Sequence, residues 1–94
     1  MGCGRTLPLA PGDIAYPRER EEQLNNVLRQ QARTVNATYV DTYTESRNHS
    51  ACSARDTRWV EPLIPGNPAA PVHPNARGQR AITQIVLRAM RVTQ

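Results

Sequence analysis

Two histidines, two cysteines and a few serines are among the side chains in this sequence able to do nucleophilic, acid–base or metal chemistry. His73 is the best placed of them. It stands between Pro71 and Pro74, just ahead of a segment that reads as a helix, so restricted backbone on both sides limits where its ring can aim. An imidazole titrates near neutral pH, and one held by its loop suits a general base. From spacing alone, a histidine in a loop can equally be structural or simply solvated. His49 lies close to Cys52 and reads as a surface residue. Cys3 and Cys52 are too few and too far apart for a zinc site, which takes four ligands at short paired spacings; the histidines do not complete one. No metal and no cofactor are expected. The cysteines are either inert thiols or one bridge, and a bridge would imply an oxidising compartment.

The elements that must position His73 follow from pattern. Residues 1–16 read as a loop, with Pro8 and the turn signal Pro11-Gly12-Asp13. A helix is expected from about 17 to 34. Pro17 fits its first turn, the acids Glu19, Glu21 and Glu22 come early and Arg29 and Arg33 late, as the helix dipole prefers. Leu24, Val27, Leu28, Ala32 and Val35 mark one apolar stripe, expected to be buried. Ala37-Thr38-Tyr39-Val40-Asp41 is rich in strand formers and reads as a short strand. Helix then strand is half of a βαβ crossover, yet nothing else in the sequence supplies a sheet for that strand. Residues 42–74 are irregular, with Trp59-Val60 at most a two-residue bridge. A second helix runs from Asn75 or Ala76 to Val92. Asn75 is its expected N-cap, Ala76, Ile82, Ile85, Val86, Ala89 and Met90 lie on its buried face, and Gly78 weakens its first turn.

Composition narrows the class. The 94 residues allow one domain at most, and 38% apolar residues with no Phe and one Trp leave few large core-forming side chains. The eight prolines fall in residues 8–17 and 62–74, which makes two long irregular stretches; a piece of a larger fold fits this better than a complete small domain. The net charge is +4, and all twelve basic residues are arginine. They are spread from Arg5 to Arg91, interleaved with acids and not with aromatics, which argues against nucleic-acid binding. No stretch approaches the roughly 20 apolar residues of a membrane span, and prolines interrupt any signal-peptide core near the start. Met1-Gly2-Cys3-Gly4-Arg5-Thr6 fits an acylation pattern that fixes few positions, so no stable membrane anchor is expected. Asn36-Ala37-Thr38 and Asn48-His49-Ser50 fit the glycosylation sequon, a match that arises easily by chance.

The run "RWVEPLIPGNPAAPVHPNARG", residues 58–78, resembles the region around the catalytic histidine of actinobacterial SGNH (GDSL-type) hydrolases. "LPLAPGDIAY" and "ATYVDTYTESRNHSAC" resemble the parts of that family that precede it. The resemblance covers nearly the whole chain. It implies an α/β class: the C-terminal fragment of a three-layer α/β/α fold, contributing two helices, one parallel-sheet strand and long loops. Residues 1–94 would be a partial domain whose nucleophile-bearing N-terminal part is absent. It further implies a secreted, metal-free esterase or lipase acting on carboxylic ester or lipid substrates. In that family a serine attacks the carbonyl, backbone N–H groups and an asparagine form the oxyanion hole, and a histidine moves the proton.

Carried over residue by residue, the resemblance makes His73 the general base. Ala70 stands where many members have the aspartate that orients the imidazole, and its backbone carbonyl is expected to take that part by accepting the Nδ1 proton. Cys3 and Cys52 are implied to be bridged, closing a loop of about 50 residues worth roughly 4 kcal/mol on the chain-entropy model. Two parts are missing. No Gly-Asp-Ser occurs: Gly12-Asp13 is followed by Ile14, and Ser46, Ser50 and Ser53 lie in a polar loop. No Gly-x-Asn-Asp occurs either, since Asn25-Asn26 fall on a helix and Gly66-Asn67 precedes Pro68. Losing a triad nucleophile costs about a millionfold, so the chain alone is expected to be inactive. The chain is expected to be either a truncated reading frame or one half of a split gene, with a separately encoded N-terminal half as partner in the second case. The alternative is a non-catalytic remnant or interaction piece. Trp59 is expected against the terminal helix, Glu61 and Asp56 in solvent or paired with arginines, and Asp41 at the strand end.

Overall fold

The computed structural model describes residues 15–92, so residues 1–14, with the Pro11-Gly12-Asp13 turn, the acylation pattern and Cys3, lie outside the described residues. Helix α1 spans Ala15–Thr34. Its end is built from local chemistry: the Ala37 N–H reaches back to the Ala32 carbonyl at 2.8 Å, and the Asn36 N–H to the Arg33 carbonyl at 3.3 Å. Asn36 itself sits at φ 56°, in the left-handed region that asparagine tolerates. This is the Schellman closure, and it satisfies carbonyls that the helix leaves without partners.

The apolar stripe expected to be buried along α1 is not. No residue of α1 is buried; Leu24, Val27 and Leu28 are each about half exposed, and Val35 beyond the helix is 73% exposed. The stripe keeps its helical period, but nothing among the described residues covers that face. The strand expected over residues 37–41 is likewise absent, and the described residues hold no sheet. The cause is shared: a strand exists only through ladder bonds to a neighbour, and none is present.

Asp41, at the end of that segment, works as a cap. Its Oδ1 accepts the N–H groups of Tyr43 and Thr44, both at 3.0 Å, and its Oδ2 accepts the Thr44 hydroxyl at 2.6 Å, starting the one-turn helix α2, Tyr43–Ser46. The Thr44 hydroxyl bond, with the Thr44 N–H next, holds the Asp41 carboxyl below the usual carboxylate range. Tyr43 donates its hydroxyl to Glu22 at 2.9 Å and so ties α2 to α1. Burial and this contact with Glu22 push the Tyr43 phenol up. Successive turns follow from Ser46 to Arg58, and Cys52 lies in one of them.

Helix α3 spans Ala76–Val92. Asn75 is its N-cap, as expected: the side-chain oxygen accepts the Gly78 N–H at 2.8 Å, one of the donors a helix start leaves open. Ile85 is buried and Ile82, Val86 and Ala89 are half-buried, whereas Ala76 and Met90, expected on the same face, are exposed. Gly78 is more than a weak point in the first turn. It is buried against residue 59, and a Cβ there would lie 2.8 Å from Trp59 Cβ and closer still to the Trp59 carbonyl oxygen. The glycine lets the helix start approach the backbone of Trp59. Gly78→Ala should therefore lose stability by about 1–3 kcal/mol through overpacking, against a helix-propensity gain of about 1 kcal/mol at most, so the melting temperature falls.

Candidate active site around His73

The centre of the described fold is polar. Its buried members are Ala51, Ile85, Arg58, Glu61 and Asn75, among others such as Pro62 and Gly78, and Glu61 has 0% exposure. Residues 59–62 and 72–75 run side by side in opposite directions. The Asn75 N–H donates to the Trp59 carbonyl at 2.9 Å, the Glu61 N–H to the His73 carbonyl at 2.9 Å, and the Val72 N–H to the Pro62 carbonyl at 3.3 Å. Val60 and Pro74 form the isolated antiparallel bridge at the centre of this pairing. His73 is thus held by its backbone at the entrance to α3, with its side chain exposed.

The loop ahead of the histidine is a tight turn. The His73 N–H donates to the Ala70 carbonyl at 3.2 Å, with Pro71 second and Val72 third in the turn. Val72 takes φ 60°. Proline second and positive φ third is the pattern of a type II turn, which ordinarily calls for glycine or asparagine third. A β-branched residue there is strained, at a cost on the order of 1–3 kcal/mol.

This turn corrects the expected orienting group. The Ala70 carbonyl was expected at the imidazole, but it accepts the His73 backbone N–H. The carbonyl at His73 Nδ1 is that of Pro71, at 2.8 Å. The left-handed Val72 explains the change, since it turns the chain so that the ring folds back two residues and not three. A carbonyl oxygen can only accept, so the contact puts the ring proton on Nδ1 and leaves the Nε2 lone pair free. That is the tautomer a general base needs. No aspartate takes part.

The expected pairing of Glu61 with an arginine holds, but the sequence did not show that this carboxylate is buried and bonded by more than its arginine. Oε1 accepts from Arg58 Nε at 3.1 Å and Arg58 Nη2 at 2.9 Å, and from the N–H groups of Gly66 at 2.9 Å and Asn67 at 3.2 Å. Oε2 accepts from the side-chain amides of Asn67 at 2.9 Å and Asn75 at 2.7 Å. Burial alone would raise the carboxyl pKa, but the bonds from Asn75, Arg58, Asn67 and the Gly66 N–H outweigh it and hold the group well below the usual carboxylate range. Asn75 also donates to the Arg58 carbonyl at 2.8 Å, and among the described residues no buried side-chain polar atom lacks a partner. The only hint in the sequence was an acid flanked by Arg58 and Pro62.

Other expected residues fall elsewhere. Trp59 meets α3 through its backbone at Gly78, while its ring stacks on His49 with centroids 4.1 Å apart and planes 9° from parallel. His49 is therefore not a bare surface residue: its Nδ1 faces the Thr57 carbonyl at 2.8 Å, and its own carbonyl accepts the Trp59 N–H at 2.8 Å. An open groove of about 910 Å³ runs beside this pair, lined by residues that include Arg18, Glu21, Tyr43, His49, Trp59 and Ile82, and His73 is not in its lining. Asp41 and His73 are not brought together by any contact described above. Cys52 is exposed, and its implied bridge to Cys3 reaches outside the described residues. No helix among the described residues is long and apolar enough to cross a membrane.

The profile of the GDSL-like Lipase/Acylhydrolase family matches residues 1–81, which takes in the histidine turn, the Glu61 cluster and the start of α3. Lipase 2 of Streptomyces coelicolor is 46% identical to this chain over 82 residues, 87% of the chain and 28% of that protein. The chain thus spans less than a third of that relative's length. No solved structure matches it significantly. With a family match that runs through most of its length and through the histidine turn itself, the chain belongs to the GDSL-like lipase/acylhydrolase family, a group of α/β ester hydrolases.

Proposed function

We propose that this chain is the C-terminal, histidine-bearing section of an SGNH-type carboxylic ester hydrolase. The observation that carries the reading is the state of His73: an exposed imidazole with Nδ1 committed to a carbonyl and Nε2 open, inside the family match. In the assembled enzyme a serine from the N-terminal part passes its hydroxyl proton to Nε2 as its oxygen bonds to the ester carbonyl carbon. The imidazolium then returns that proton to the departing alkoxide, and water repeats the sequence to release the acid. The Pro71 carbonyl keeps the ring in one tautomer. It stabilises the imidazolium less than a carboxylate would.

Several features support a partial domain over residues 1–94. The uncovered stripe of α1 and the unpaired strand formers at 37–41 are what a helix and strand of a three-layer α/β/α fold present once their sheet is removed. Residues 1–94 also lack the Gly-Asp-Ser and Gly-x-Asn-Asp runs. The substrates would be fatty-acyl or short-chain carboxylic esters, and the enzyme would be secreted, with Cys3 bridged to Cys52 in that oxidising setting. What this assembly requires is the serine-bearing N-terminal part of the fold.

The test is hydrolysis of a p-nitrophenyl ester by the purified chain, alone and mixed with a serine-bearing N-terminal portion of a family relative. The chain alone should match the buffer blank, and the mixture should turn over. A mixture as inactive as its parts would instead support a non-catalytic remnant.

A further inference from the structure

We infer that Glu61 is a positioning residue for His73: its buried carboxylate joins the start, the middle and the far side of the histidine loop, and so sets where the imidazole aims. The inference rests on the reading of His73 as the general base. Glu61 does not touch the ring. It acts through the backbone on both sides of it.

The connections are specific. The chain leaves Glu61, passes Gly66 and Asn67, turns at 70–73 and reaches Asn75 at the start of α3. The carboxylate takes bonds from Gly66, from both nitrogens of Asn67 and from the Asn75 side chain. The Glu61 N–H meanwhile holds the His73 carbonyl. One buried residue therefore fixes the loop at three places. Arg58, on the other side, neutralises it through two nitrogens.

A second observation points the same way. Val72, directly before the histidine, keeps a left-handed backbone that its side chain disfavours. Such a residue persists only where its surroundings over-determine it. With the Glu61 anchors loosened, Val72 would relax toward negative φ, and the Pro71 carbonyl would leave Nδ1.

All six bonds to the carboxylate come from donors, so an amide cannot replace it: one end of a glutamine would set N–H groups against N–H groups. A milder change isolates the link to α3. Asn75→Ser keeps a hydroxyl able to cap the Gly78 N–H, but it is too short to reach Glu61.

The experiment is long-range ¹H–¹⁵N correlation NMR of the histidine rings in the full chain, uniformly labelled, near pH 7.5. Wild type, Glu61→Gln, Asn75→Ser and, as a destabilised control away from the loop, Ile85→Ala are compared. Wild type and Ile85→Ala should show His73 as a single Nδ1–H tautomer. Glu61→Gln and Asn75→Ser should lose it, giving a tautomer mixture at His73 while His49 keeps its own pattern. If Glu61→Gln fails to fold, Asn75→Ser decides alone. A single Nδ1–H tautomer at His73 in every folded variant overturns the inference, and so does its absence in wild type. Because this readout needs no turnover, it is separate from the catalytic reading, which fails instead if a mixture containing His73→Ala remains an active esterase.

Discussion

Glu61→Ala should destabilise the chain by about 3–5 kcal/mol at neutral pH, the range expected when one partner of a buried ion pair is removed. The variant leaves the Arg58 guanidinium, 8% exposed, without its counter-charge. It also strips acceptors from the part-buried Gly66 and Asn67 N–H groups and Asn67 amide, and from the buried amide of Asn75. For a chain this small such a loss is a large share of the stability available. Chemical unfolding followed by far-UV circular dichroism measures it directly.

The same carboxylate dictates how stability depends on pH. Its folded pKa lies below its ordinary value of 4.5, because the bonds from Asn75, Arg58, Asn67 and Gly66 outweigh burial. A group shifted downward binds its proton more readily in the unfolded chain. Its stabilisation is therefore complete above about pH 4.5 and drains away as pH falls below that value toward the folded pKa. Asp41, lowered chiefly by the Thr44 hydroxyl, contributes with the same sign. Wild type should lose stability steeply on acidification from about pH 5 to about pH 3, and Glu61→Ala should show a flatter limb that retains the part due to Asp41. Equal slopes in the two proteins would mean that the Glu61 carboxylate is not held as described.

His73→Ala should abolish ester hydrolysis in the reconstituted enzyme, by a factor on the order of a million in kcat, with KM little changed. The size follows from the role. Without a base at Nε2 the serine hydroxyl stays protonated at neutral pH, and the leaving alkoxide has no proton source. KM is spared because the ring contributes in the transition state and not to ground-state binding. His49→Ala separates the two histidines: its ring is spent on Trp59 and Thr57, so that change should affect stability more than kcat. A His73→Ala enzyme within tenfold of its parent would remove His73 from the mechanism.

The parts of the fold that the sequence made legible are those decided within a turn or two. α1 and α3 follow from apolar period, and the start of α3 from Asn75, whose side chain and backbone act on neighbours three and four residues away. What failed depends on distant partners. The strand formers at 37–41 are sound, but a sheet is made by its other strands. The α1 stripe has the right period and no surface to bury it. Glu61 looked like an ordinary loop acid because its ligands come from residues 58, 66, 67 and 75, and no local pattern announces a buried carboxylate. His73 was visible from its prolines and surrounding run. Its orienting carbonyl was misplaced by one residue because a valine at positive φ is a choice the sequence does not advertise.

Mixing is the most direct test of the central claim that this chain lends a general base to a GDSL-type ester hydrolase. The purified chain is combined with a serine-bearing N-terminal portion of a family relative, and release of p-nitrophenol from a short-chain ester is followed beside each part alone. The account predicts turnover only in the mixture, and none when the chain carries His73→Ala. Turnover by the chain alone, or a mixture indifferent to His73, would contradict it.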